Sequence, residues 1–253
     1  MMTLSPFSFP NGTQTLQFDA LSHAPLVHGV FLRHGGVSPP PWESLNVGLA
    51  VGDDPPRVAE NRRRIREALG LPALVAARQV HDDRVAVVIE DPGQEIDGVD
   101  ALITNVAGLG LMIQQADCQA VLLHDPVRRA VGIAHSGWRG SVANIIAKTV
   151  AAMTDAYSTD PADLLAGVSP SLGPCCGEFV NFRTELPPAF HSFQVRPNHF
   201  DFWAVSRAQL VAAGVGPEKI AVASLCTVCD QRFFSFRRQK STGRFASVIG
   251  LRP

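Results

Sequence analysis

The sequence predicts an α/β (α+β) fold in which helices pack on strand-rich layers, and three observations carry that prediction. Apolar residues make up 46% of the 253 positions, enough for a sizeable core in a chain of this length. Short β-branched runs crowd the region 85–135, with gaps too short for crossover helices, so the pairing must be mixed or antiparallel. Outside that region the apolar period lengthens to the helical value in three segments.

Taken in order, the first strand is expected at 26–32, within PLVHGVFLRHGG, and stops at the Gly35-Gly36 turn. A helix follows in PPRVAENRRRIREALGLP, where Val58, Ile65 and Leu69 share one face. Pro55-Pro56 suits its first turn and Gly70 its end. Strands are expected at 85–89, 101–104, 109–114, 120–124 and 130–135. After His135, Val142, Ile145, Ile146, Val150 and Met153 align on one helical face, with Ser141 placed to cap its start. A strand at 164–168 runs into the loop SPSLGPCCGEF, and a second amphipathic helix covers 202–213, closed by Gly214. Strands at 220–225 and 245–251 complete the chain. With no internal repeat, low-complexity segment or long linker, 1–253 reads as a single domain.

Composition narrows the function classes. Lys plus Arg number 22 against 23 for Asp plus Glu, a net charge of −1. That balance argues against nucleic acid as partner, which would call for a cationic excess. The longest apolar stretch, 102–113, is broken by Thr104 and Asn105 and is too short to span a membrane. The start of the sequence lacks the charged-then-apolar order of a secretory signal, and five Cys is an odd number. Reduced thiols and a cytoplasmic location are therefore expected.

Three strings place chemistry-bearing side chains at strand ends or turns: RQVHDD (78–83), QADCQA (115–120) and AHSGWRG (134–140). They contribute His81, Cys118 and His135. Two imidazoles and a thiolate suit a borderline-soft cation such as zinc, and three ligands leave a fourth tetrahedral position open. Hydrogen-bonded turn histidines and a core cysteine would account for the same residues. Cys226-Thr-Val-Cys229 has zinc-knuckle spacing but lacks a second CxxC, and Cys175 and Cys176 are neighbours. A four-thiolate site from these residues competes with a reduced structural role. AHSGWRGS leads into the helix carrying Ser141, whose backbone N–H groups and Arg139 could receive an anion. An ordinary strand-to-helix turn with an exposed Arg explains it equally. The tail cations Arg232, Arg237, Arg238, Lys240 and Arg244 read as surface.

Together the strings LRHGGVS (32–38), SLNVG (44–48), ENRRR (60–64), QVH (79–81), DALIT (100–104), ADC (116–118), AHSGWRG (134–140), SPSLGPCC (169–176), LCT (225–227), FFSFRR (233–238) and TGR (242–244) resemble one family, in its order. It is the YfiH-type or laccase-domain family, once called multicopper polyphenol oxidases and now described as purine nucleoside phosphorylases with adenosine deaminase activity. The resemblance covers about 27–250. It implies a four-layer domain with mixed sheets sandwiched between helices, similar to bacterial toxin cysteine hydrolases. It also implies His81, Cys118 and His135 as the zinc ligands. The implied chemistry turns adenosine, inosine and methylthioadenosine into free base and ribose 1-phosphate, with adenosine deamination at the same site. Asp82, Ala120, Ser136 and Gly177 depart from the usual family residues and bear on pocket shape. The CxxC ending at Cys229 is not a family hallmark.

The older copper label fails a count. A multicopper oxidase needs about ten His, largely in HxH pairs, whereas this chain has eight His and no two are separated by one residue. Copper can still compete with zinc for the same three ligands. For phosphorolysis, phosphate is assigned to the helix start at 137–141 with Arg139 or Arg62, and the substrate to Asn46 and His34. His34, Asp117 and Glu178 are the general acid/base candidates for deamination, Asp117 being disfavoured because on an extended strand it would face away from Cys118. The expected partners are a small-molecule nucleoside and phosphate, with no nucleic acid or membrane. A metal-independent cysteine hydrolase using Cys118 and His135, or a non-catalytic metal-binding module, are the rival readings.

Overall fold

The computed structural model describes residues 4–23 and 25–253. Strands β1 (Leu4–Ser8), β2 (Gln14–Phe18) and β3 (Leu26–Phe31) precede helix α1 (Pro55–Ala68). The strand-dense middle holds β4 (Ala73–Arg78), β5 (Val85–Val87), β6 (Ile96–Asp97), β7 (Ala101–Thr104), β8 (Leu109–Gln115), β9 (Gln119–Asp125) and β10 (Ala130–Ser136). Helices α2 (Trp138–Val142) and α3 (Ile145–Tyr157) follow, then β11 (Leu165–Val168) and α4 (Phe182–Glu185). The chain ends with β12 (Gln194–Arg196), β13 (His199–Phe200), α5 (Phe202–Ala212), β14 (Ile220–Val222) and β15 (Phe245–Leu251).

These strands form two large mixed sheets. One has the order β1-β2-β3-β15-β8-β4-β6, the other β14-β11-β9-β10-β7-β5, and β12 pairs with β13 separately. Parallel pairs occur at β8–β4, β4–β6, β14–β11 and β7–β5; the remaining pairs in the two sheets are antiparallel. Val30, Val75, Leu111 and Ile249 from the first sheet pack against Leu102, Leu122, Val131 and Ile133 from the second in one buried cluster. On the outer face of the first sheet, Ile65 and Leu69 of the α1 segment meet Phe31, Met112 and Val248. On the outer face of the second, Ile146, Val150 and Met153 of α3 and Leu210 of α5 cover Ile103, Val121 and Leu123. The result is helix, sheet, sheet, helix. Because both faces of the second sheet are covered at its centre, β9 and β10 are buried at every residue, which explains their apolar stretches.

Two expectations need correction, and one core strand is an addition. The helix expected from Ser141 is two helices. Asn144 sits at φ 57° between α2 and α3, and its side chain accepts the Ala147 N–H, so Asn144 is the cap of α3. Val142 thereby falls off the buried face and is exposed. The strand expected at 220–225 stops at Val222, two residues before Ser224 at φ 51°. Strand β4 was not expected: ALVAAR is rich in Ala, and its place in the sheet comes from parallel pairing to β8. Among the described residues no helix is long and apolar enough to cross a membrane.

Candidate metal and substrate site

Two sheets packed face to face assemble the trio that sequence spacing alone leaves apart. His81 follows β4 of the first sheet, and Cys118 lies in the connection that passes from β8 of the first sheet to β9 of the second. His135 stands near the end of β10, opposite Ala120 on β9, which brings it alongside Cys118. The ligand atoms of His81, Cys118 and His135 all lie within 4.8 Å of one another. The two imidazoles meet edge to face with centroids 4.8 Å apart.

Asp100 organises this arrangement. Its buried carboxylate accepts the backbone N–H groups of Val80 (3.1 Å), His81 (3.0 Å) and Asp82 (2.9 Å). It also meets His135 Nδ1 at 2.8 Å, leaving Nε2 as the ligand atom. The first three contacts hold the loop in which His81 adopts φ 63°. Burial opposes ionisation of Asp100, but His135 and the Asp82 and Val80 N–H groups outweigh it and hold the carboxyl below its ordinary range. Asp100 lies within DALIT, and nothing local in the sequence marks its role, because its partners come from two other segments.

Electrostatics couple the remaining groups. Burial raises the Cys118 thiol, yet His135 and His81 more than offset this and bring it to about 6. Burial likewise lowers His135, while the Cys118 thiolate and Asp100 push it up to about 9. Each group thus favours the charged form of the other. Gly137 packs directly on the trio: a Cβ there would lie 3.0 Å from Cys118 Sγ and 3.3 Å from His81 Cδ2, so any larger residue at this place crowds the ligand side chains.

Two cavities meet at Cys118. One, of about 350 Å³, presents Trp138, Phe179, Phe202 and Phe236 together with Glu178 and Asn181. The other, of about 450 Å³, holds His81 and His135 beside Gln79, Gln114, Arg78 and Arg244. Arg244, read from sequence as surface, is half-buried and faces this second cavity; burial lowers its guanidinium, with Cys118 and Asp117 acting in the opposite sense.

Of the other sequence candidates, Asp117 and Glu178 line the aromatic cavity, while Asn46, Arg62, Arg139 and His34 line neither. Asn46 is fully buried, binding Gly48, Asp53 and the Arg244 N–H, so it braces the loop under Arg244. Arg62 is tied to Val47 O and Glu95. Arg139 is exposed and stacks on Trp138, 4.3 Å from the ring centroid, and it does not line either cavity. His34 is exposed and outside both. Asp117 is not on an extended strand: it bends at φ 92°, and its carboxylate is taken by Thr227 Oγ1 (2.7 Å) and Arg237 N (2.6 Å). Glu178 lines the aromatic cavity, as does Cys118.

Known proteins share this architecture. The chain is 35% identical over 258 residues to "Purine nucleoside phosphorylase YlmD" of Geobacillus stearothermophilus, covering 94% of each chain. It is 36% identical over 229 residues to "Purine nucleoside phosphorylase YfiH" of Escherichia coli, covering 87% of this chain and 91% of that one. The crystal structure of YlmD from Geobacillus stearothermophilus superposes with a TM-score of 0.88 at 33% identity, over 99% of this chain and 100% of the other. The model for the family described as "Multi-copper polyphenol oxidoreductase laccase" matches residues 27–252. The chain therefore belongs to this laccase-like family, to which the YfiH and YlmD proteins are its relatives.

Proposed function

We propose that the chain is a zinc-dependent purine nucleoside phosphorylase that also deaminates adenosine, working as one domain at His81, Cys118 and His135. The observation that carries this reading is the meeting of two chemically different cavities at Cys118. The aromatic one suits a purine, whose faces stack and whose edge takes polar contacts from Glu178 and Asn181. The polar one suits phosphate and ribose, with Arg244 and Arg78 as the cations. The names of the relatives, purine nucleoside phosphorylase, agree with it.

The residues fit a metal. The donor set is two imidazoles and a thiolate, their atoms are within 4.8 Å, and Asp100 fixes the His135 tautomer. A bound zinc ion, or copper at the same ligands, would supply Lewis acidity and make water more acidic. In phosphorolysis a phosphate oxygen forms the bond to ribose C1′ while the bond to the purine nitrogen breaks, and the base leaves with a proton. Arg244 holds the anion, and its partial burial strengthens that contact. In deamination water adds at purine C6 and ammonia leaves; Glu178 passes the proton to it. His34, Arg62 and Asn46 support these steps only through the fold, and Arg139 through its stack on Trp138. The phosphate site thus moves from the GWRG turn to Arg244. Inosine and methylthioadenosine are further substrates by the same logic.

A second reading is favoured by the closeness of Cys118 to His135: a metal-independent hydrolase with Cys118 as nucleophile and His135 taking the thiol proton as its base and returning it to the leaving group, the chemistry that kinship to bacterial toxin cysteine hydrolases would bring. Inosine and phosphate with purified Arg244→Ala and Cys118→Ala protein separate the readings. Arg244→Ala should raise the KM for phosphate about ten-fold or more with a smaller effect on kcat. Cys118→Ala should abolish turnover together with bound metal at the trio. Turnover of inosine by metal-depleted wild-type protein that does not depend on phosphate supports the hydrolase instead.

A further inference from the structure

Four cysteines outside the site just described converge in space. Cys175 and Cys176 lie in the loop after β11, and Cys226 and Cys229 in the loop after β14. The two strands are parallel neighbours, and a bridge between Ser171 and Cys226 carries their pairing onward. Both loops therefore leave the same end of the sheet together. The four Sγ atoms all lie within 4.8 Å of one another. Cys229 Sγ stands 3.7 Å from Cys175 Sγ and 3.7 Å from Cys176 Sγ. A tetrahedral ion with metal–sulfur bonds of about 2.3 Å separates its sulfurs by about 3.8 Å.

The structure assigns to Cys175, Cys176, Cys226 and Cys229 a second metal site, a closed tetrathiolate centre for zinc. Its surroundings suit the charge. A divalent ion on four thiolates leaves a double negative charge. Cys226, the buried member, receives the Gly173 N–H at 3.3 Å and further N–H groups from Val228 and Cys229. The CTVC turn thus points its amides at its own first sulfur. Two guanidinium groups flank the cluster: Arg196 donates to Cys175 O at 2.6 Å and Arg237 to Cys176 O at 3.3 Å. Adjacency of Cys175 and Cys176 in sequence, which would seem to forbid shared chelation, is overcome by the turn in which Cys176 N donates to Gly173 O.

The role follows from what the two loops carry. The segment after Cys176 supplies Glu178, Phe179 and Asn181 to the aromatic cavity, and the segment after Cys229 supplies Phe236 and Arg237. All four ligands come from the protein, so no position is left for a substrate, and the ion is a staple for one cavity wall. The site is independent of the reaction proposed for the trio.

Metal analysis and native mass spectrometry of protein purified under reducing conditions, without added metal, test this. Wild type should carry about two zinc ions per chain, Cys229→Ser about one and Cys118→Ala about one, while the double variant should carry none. In wild type, modification of Cys175 and Cys229 by a thiol reagent should be at least ten-fold slower before a zinc chelator is added than after. This second measurement needs no variant to fold. One zinc in both wild type and Cys229→Ser overturns the proposal. So does rapid modification of Cys175 and Cys229 without chelator, a Cys229 disulfide in wild type, or iron in place of zinc.

Discussion

At Asp100 one buried carboxylate serves four donors: His135 Nδ1 and the N–H groups of Val80, His81 and Asp82. An amide there keeps the size but loses acceptor capacity on one side and the negative charge. Asp100→Asn should lower metal affinity at the trio by about 10–100-fold, measured by competition with a chromogenic chelator. Unchanged affinity would mean that Asp100 only shapes the loop. A different residue-scale effect contributes to stability against acid. His28 is held at about 4 by burial, with His23 and His124 in the same direction, and its Nε2 accepts the Phe18 N–H. His124 is also held at about 4, by burial and then His23. Both rings are folded neutral and would protonate near 6.5 once unfolded, so the unfolded chain binds more protons between those values. Their contribution is complete above about pH 6.5 and is lost as the pH falls towards 4, at about 3 kcal/mol each at most. Urea midpoints measured across that interval should fall with acidification, and less steeply in His124→Asn.

Among the elements, those legible in sequence were the ones whose own residues decide them. Helix α1 reads from Pro55-Pro56, Val58, Ile65 and the glycine at 70, which takes φ 65°. Strands β7 and β15 were placed to the residue because their apolar runs end at turn-formers. Strand β4 was not legible, since its partner β8 lies some thirty residues further on. The break between α2 and α3 was hidden because Val142, Ile145 and Ile146 keep helical spacing across it. Asn144 is the residue that makes the break, by adopting the left-handed region and capping α3. Asn144→Ala should therefore cost about 1–2 kcal/mol in urea denaturation, and Asn144→Gly less, because glycine tolerates that φ. Equal losses would assign the whole effect to the cap bond.

For the molecule as a whole, the trio was legible as residue types, and its assembly was not. His81, Cys118 and His135 come together because the β8–β9 connection passes from one sheet to the other, beside the end of β4 and beside β10. No local spacing encodes that. The placement of the cations is hidden for the same reason: Arg139 stands next to the motif yet stacks on Trp138 outside the cavities, while Arg244, over a hundred residues away, lines the one that holds His81 and His135. The central claim is that this junction transfers a ribosyl group to phosphate. The measurement that tests it most directly is incubation of the purified chain with adenosine, with and without phosphate, followed by separation of adenine, inosine and ribose 1-phosphate. Adenine and ribose 1-phosphate should appear together, rise with phosphate and be nearly absent without it, inosine should persist in phosphate-free buffer, and Cys118→Ala should form none of the three. Adenine released at the same rate without phosphate, or undiminished in Cys118→Ala, would contradict the account.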